Sequence, residues 1–215
     1  MMNLLDFSVE IIAVSASGVL APGPLFFANL LYGTRLGTRS GLKLACGHTI
    51  VELPLIILLA GGLFTFDAAR KYSGIIGLMG GIAILALAGL QIRSITRKKG
   101  MYAAVSSPYL AGSKGPFIVG VLLSALNPFF FIWWFTAGLK LIVDSSAFGL
   151  GTGLAILFAL HIWMDYAWLG GTAFLASKGS MLLKSRHYSL LLAGLSAVLI
   201  YYGISFVVQT VQRSI

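Results

Sequence analysis

Charge is what this sequence has least of. Only 10% of its 215 residues are Asp, Glu, Lys or Arg, where a soluble domain usually carries about 25%. With 58% hydrophobic residues and a mean hydropathy of +0.94, a water-soluble fold has too little polar surface to cover itself. Cysteine is also scarce. Cys46 stands alone, which excludes an intrachain disulfide framework and a paired-thiol relay; it reads as a small apolar helix residue. No helix pattern carries two histidines at ligand spacing, and no serine-nucleophile motif occurs. No basic stripe with interleaved aromatics runs through the chain, so the excess of 15 Lys and Arg over 6 Asp and Glu does not point to nucleic acid. Asp6 and Glu10 are the first charges, where a cleavable secretory signal would carry Lys or Arg, so the first apolar run is expected to stay as a span.

What remains is apolar sequence in long runs. A bilayer core needs roughly 20 apolar helical residues, and six stretches qualify: about 7–32, 42–64, 73–95, 116–138, 149–176 and 189–210. The fold class is therefore an all-α polytopic membrane protein with about six transmembrane helices. The basic residues sit between the runs and are distributed unevenly. Arg35, Arg39, Lys43, Arg93, Arg97, Lys98, Lys99, Lys114, Lys178, Lys184 and Arg186 fall on one side, against Arg70, Lys71, Lys140 and Arg213 on the other. The positive-inside bias places the first set in the cytoplasm and both termini outside. The Arg97-Lys98-Lys99 cluster is expected to contact anionic lipid on that face.

The chain also reads twice. Tyr72-Ser73 opens the third run and Tyr188-Ser189 the sixth; small Gly77, Gly80 and Gly81 fall opposite Ala193, Ser196 and Ala197. His48 precedes Glu52 by four positions in the second run, as His161 precedes Asp165 in the fifth. Pro24-Leu25-Phe26-Phe27 and Pro128-Phe129-Phe130-Phe131 mark the first and fourth. Three spans per repeat is an odd number, so the second repeat must be inverted, and inverted repeats place a binding site at the midplane where they meet. The whole of 1–215 reads as one transporter domain: repeat one about 7–95, a basic cytoplasmic linker about 96–115 and repeat two about 116–210.

Chemistry is concentrated at few positions. Pro22, Gly23 and Pro24 should break the first helix, since proline lacks an N–H and clashes with the preceding turn. Broken backbone inside hydrocarbon is tolerated only against protein or a watery cavity. The half-helix from Pro24 would offer N–H groups and a positive dipole end to a carboxylate. Asn127-Pro128 can do the same in the fourth run, with the Asn127 amide as cap or ligand. Glu52 and Asp165 fall mid-span, where an ionised carboxylate costs at least about 2.5 kcal/mol, and each shares a helix face with its histidine. These pairs can cycle a proton, bind an ammonium, or glue helices together. His48, Glu52, His161 and Asp165 also have the composition of a divalent-metal site. Gly77 and Gly81 form a small-xxx-small packing pair. Trp133, Trp134, Trp163 and Trp168 suit packing or a substrate-site wall.

These residues resemble the LysE/RhtB-type translocators, exporters of amino acids and related small solutes. The resemblance covers nearly the whole chain. It rests on Pro22-Gly23-Pro24 followed by Gly33, Gly37 and Gly41, on Gly47-His48 with Glu52, and on Asn127-Pro128. The His161–Trp168 segment looks like the fifth span of archaeal-type members. The resemblance implies export driven by the proton-motive force, with both proline breaks close to the substrate route. The family often follows Asn-Pro with lysine, where this chain has Phe129.

The expectation is thus a multi-pass cell-membrane secondary transporter, not an enzyme. It exports an amino acid or similar zwitterion, has no cofactor, and its partners are its substrate and the lipid bilayer, with homo-oligomerisation left open. A divalent-cation exporter using His48, Glu52, His161 and Asp165 as ligands is the second reading, and an intramembrane metal-dependent hydrolase the third.

Overall fold

Proline cannot donate the bond that continues a helix, and the first apolar run stops where Pro22 and Pro24 fall. In the computed structural model, α1 (Leu4–Val19) ends there and α2 (Pro24–Leu36) begins on Pro24 itself. That is the first-turn position, where the missing N–H matters least. The two axes are bent by 74°. The structure describes residues 3–62, 114–182 and 185–214, together with 78–79, 81–86, 88–89 and 92–93.

α1 starts under an Asn3 cap, whose Oδ1 accepts from the Asp6 N–H at 2.8 Å. α2 passes almost directly into α3 (Thr38–Ala60), with Gly37 at φ 61° as the single joint; a left-handed residue at this position favours glycine. α4 (Gly115–Ala125) opens the second half. The chain breaks at Leu126-Asn127 and resumes as α5 (Pro128–Trp133). A π-helical turn over Trp134–Gly138 carries α5 into α6 (Leu139–Ser145), and a 3-10 turn over Ser146–Phe148 closes the element. α7 (Leu150–Leu182) and α8 (Ser185–Ser214) complete the chain.

Among the described residues, three stretches are long and apolar enough to cross a membrane: α3, Pro128–Phe148 and the bulk of α7. The bent α1–α2 pair makes a fourth if it counts as one span. The fourth run was expected to end near residue 138, but helix persists to Phe148. Lys140 made the sequence look like a boundary. In the fold it is satisfied laterally, by Glu10 of α1 and by Asp144 one turn on, at 2.6 Å. The third expected span lies mostly outside the described residues; those described between 78 and 93 are helical. Tyr72-Ser73, Gly77, Gly80, the Arg97-Lys98-Lys99 cluster and nearly all of the 96–115 linker lie outside them. Gly81 is described, and the Gly203 carbonyl of α8 lies 2.8 Å from where its Cβ would stand.

Packing follows the small residues. α3 lies against α4 and α7, and α7 also takes α1 and α2. A Cβ on Gly47 would stand 2.2 Å from the Phe117 carbonyl oxygen, and one on Gly120 2.4 Å from that of Leu44. α3 and α4 therefore touch backbone to backbone, as small residues allow between membrane helices. Two apolar clusters result. One gathers Ala28, Leu31, Leu44, Val119 and Leu169; the other gathers Phe7, Ile11, Leu55, Trp134 and Leu157. Along α3, His48 and Glu52 fall between the residues given to the two clusters, and along α7 so do His161 and Asp165. A polar layer sits between two dry ones.

The turn at Gly37 and the end of α7 share one end of the molecule, since Ser180 Oγ donates to the Thr34 carbonyl at 3.0 Å. Asn29 Nδ2 ties α2 to α7 more deeply, donating to the Leu169 carbonyl at 2.9 Å and to Thr172 Oγ1 at 2.8 Å.

Candidate functional site

The polar layer borders a cavity of about 460 Å³, within the usual range for small-molecule sites. Pro22, Gly23, Pro24, His48, Glu52, Asn127, His161 and Asp165 all line it. Of the nine candidate pathway residues named from the sequence, Pro128 alone is not in the lining. Trp133, Trp134 and Trp168 are wall residues too, whereas Trp163 is half exposed. Among the described residues, no Lys or Arg lines the cavity.

Glu52 is the centre of the polar layer. It is 1% exposed, and its Oε1 meets His48 Nε2 at 3.2 Å and His161 Nε2 at 3.1 Å. Trp134 Nε1 donates to the same oxygen at 3.2 Å. One carboxylate oxygen from the first half thus holds both histidines. Asp165 stands differently. Its Oδ2 is 3.5 Å from His161 Nε2, without hydrogen-bond geometry, and neither this atom nor Glu52 Oε2 has a hydrogen-bond partner among the described residues. Buried polar atoms are normally bonded, and these two unpartnered oxygens belong to residues that line one cavity.

Two serines complete the layer that the sequence reading left out. His48 Nδ1 lies 2.7 Å from Ser124 Oγ of α4, and His161 Nδ1 lies 2.8 Å from Ser15 Oγ of α1. Each histidine of one half therefore leans on the first helix of the other. If Ser124 Oγ gives its proton to the Gly120 carbonyl, at 2.7 Å, His48 Nδ1 is the donor in its contact. His48 Nε2 and Glu52 Oε1 then need one further proton between them: an imidazolium facing a carboxylate, or a neutral ring facing a carboxylic acid. A hydroxyl inside an apolar run was the available signal, but neither Ser15 nor Ser124 announces its partner.

The two helix breaks are finished differently. At the first, Tyr202 Oη of α8 donates to the freed Pro22 carbonyl at 2.5 Å. α2 has no side-chain cap, and both Leu25 and Phe26 in its first turn line the cavity. First-turn N–H groups have no intrahelical acceptor, an arrangement that suits an anion in general. At the second break, Asn127 Oδ1 accepts from the Phe129 N–H at 3.0 Å. That oxygen is spent on its own helix, which has only six residues. Asn127→Ala is expected to cost about 1 kcal/mol, read as a fall of roughly 2–4 °C in the melting temperature of the solubilised protein. An unchanged midpoint would show the cap to be idle.

The aromatic wall closes around these groups. Trp133 packs its ring 5.5 Å from that of His161, and Phe130 meets the His48 ring edge-on at 5.1 Å. Trp133 Nε1 donates to Ser17 Oγ at 3.1 Å, holding α5 to α1. The π turn supplies Trp134 to Glu52, and Gly138 makes that possible, because a Cβ there would lie 2.3 Å from the Trp134 ring.

A broken first helix, a histidine–carboxylate layer shared by two halves and a second Asn-Pro break meet in one membrane-embedded cavity. The family model described as LysE type translocator matches residues 16–210. The chain belongs to the LysE type translocators. No curated protein and no solved structure matches it. Membership makes this translocator a multi-pass membrane protein that exports a small molecule, in a family of transporters rather than of enzymes.

Proposed function

We propose that this translocator is a secondary exporter of an amino acid or a similar small zwitterion across the cell membrane, coupled to protons. One observation carries the reading: a single cavity presents the uncapped first turn of α2 and the unpartnered oxygens of Glu52 and Asp165. The first attracts a carboxylate and the second an ammonium, so the cavity suits a solute bearing both. The proton shared by His48 and Glu52 supports the coupling, since an ammonium arriving at the carboxylates makes that proton redundant. Pro22, Gly23, Pro24, Asn127 and Pro128 shape the route, while His48, Glu52, His161 and Asp165 handle the charge.

The topology proposed with it has six spans in two inverted halves, both termini outside, and the basic 96–115 linker in the cytoplasm. The distribution of basic residues supports that orientation. Every group used lies in one chain, so the reading holds for a monomer or a homo-oligomer.

A divalent-cation exporter remains the second reading, because ligand atoms of His48, Glu52 and Asp165 all lie within 4.8 Å of one another and suit an ion with N and O ligands. The hydrolase reading has no observation behind it. Counterflow in proteoliposomes, with and without an imposed pH gradient, separates the first two. Gradient-dependent movement of a labelled amino acid is the expected result. Movement of Zn²⁺ or Mn²⁺ in the same vesicles, with none of any amino acid, would transfer the site to the metal reading.

A further inference from the structure

Among the described residues, charge in the cavity is confined to one spot. The three groups His48, Glu52 and Asp165, whose ligand atoms cluster within 4.8 Å, accommodate one cationic head. His161 faces the same carboxylates. Among the described residues, the other feature suited to a charged group is the first turn of α2. Beyond these two, the described lining is mostly apolar, with Phe26, Phe129, Phe130, Trp133, Trp168 and Tyr202 as its aromatic members. Phe26 matters twice. Its backbone N–H belongs to the uncapped turn, and its ring stacks on Trp168 at 5.8 Å and 15°. A substrate whose carboxylate sits at that turn and whose ammonium sits at Asp165 has the Phe26–Trp168 pair as a neighbour for its side chain.

We infer that the substrates are amino acids with one amine, one carboxylate and a large apolar side chain, aromatic or branched aliphatic, and that basic and acidic amino acids are rejected. This rests on the zwitterion reading and narrows it. A second charge on the side chain would leave water for a wall whose described residues include no Lys, Arg or third carboxylate, and burying a charge without a partner is strongly unfavourable. Small amino acids lose in a different way. They place both charges but leave the aromatic surface uncovered, forfeiting the apolar contact that fills such sites.

The test uses the full chain in proteoliposomes and labelled phenylalanine, leucine, lysine, glutamate and glycine in counterflow. Phenylalanine and leucine are expected to move at initial rates at least tenfold above the other three. Lysine, glutamate or glycine moving as fast as leucine would overturn the selectivity. If that movement were lost in Asp165→Asn, the carrier reading would stand while this narrower one fell. No movement of any of the five would overturn both. In Phe26→Ala the ratio of phenylalanine to glycine transport is expected to drop at least fivefold; an unchanged ratio would remove the Phe26–Trp168 pair from the substrate wall.

Discussion

Glu52→Gln is expected to slow transport at least about 100-fold, equivalent to roughly 2.7 kcal/mol, while the protein still inserts and can be purified. The substitution keeps the shape of the side chain and removes its charge. In the native layer one oxygen of Glu52 receives His48, His161 and Trp134 together, and charge-assisted bonds of this kind are about twice as strong as neutral ones. An amide offers one weaker acceptor and turns an NH₂ toward the cavity or toward a ring nitrogen. The two histidines, one from each half, lose the carboxylate oxygen that both contact. Initial counterflow rates measure the loss. A variant that keeps more than half of the native rate would show that the bridge holds helices together and does nothing in transport. Asp165→Asn provides the contrast: Asp165 Oδ2 has no hydrogen bond to lose, so substrate affinity should fall with little change in stability.

Gly47→Ala and Gly120→Ala are expected to damage the fold through a single added methyl. Each new Cβ would meet backbone on the facing helix, at 2.2 Å from the Phe117 oxygen and 2.4 Å from the Leu44 oxygen, and backbone cannot swing aside as a side chain can. Overpacking typically costs about 1–3 kcal/mol, and here α3 and α4 must separate to relieve it. Separation also stretches the His48–Ser124 contact, which spans the same interface. Both thermal stability and transport should therefore fall. Gly171→Ala is the control, since nothing lies within 4 Å of its would-be Cβ and alanine is the better helix former by about 1 kcal/mol. Equal melting temperatures for Gly47→Ala and Gly171→Ala would show that α3 and α4 do not depend on close approach.

The sequence made much of this site legible because membrane interiors penalise irregularity. A double proline in an apolar run and two mid-span carboxylates are costly, so each marks a place where the fold does something with them, and all of them border the cavity. Serine carries no such cost. Ser15 and Ser124 bond histidines of the opposite half, and those pairings exist only once α1 meets α7 and α3 meets α4. The self-capping of Asn127 was one of two roles its amide allowed, and only its rotamer distinguishes them. The length of the fourth element was misjudged because Lys140 and Asp144 look like an end when read in one dimension; Glu10, 130 residues earlier in the chain, neutralises the arrangement. Trp134 reaches Glu52 through a π turn, which periodicity at 3.6 residues per turn does not foresee.

That turn has a consequence for how this chain tolerates insertion and deletion. A π turn accommodates one residue more than the α-helix around it. Deleting a single residue between Trp134 and Gly138 would let ordinary helix form and leave everything beyond in its present register. Lys140 would stay beside Glu10, and Leu141 and Ile142 would keep their places in the apolar cluster they help to fill. A length change elsewhere in Pro128–Phe148 would rotate everything beyond it by about 100°, with no widened turn to absorb it. The Trp134–Gly138 segment is thus the one place in this element where an added residue has been taken up without turning the rest of the helix out of register.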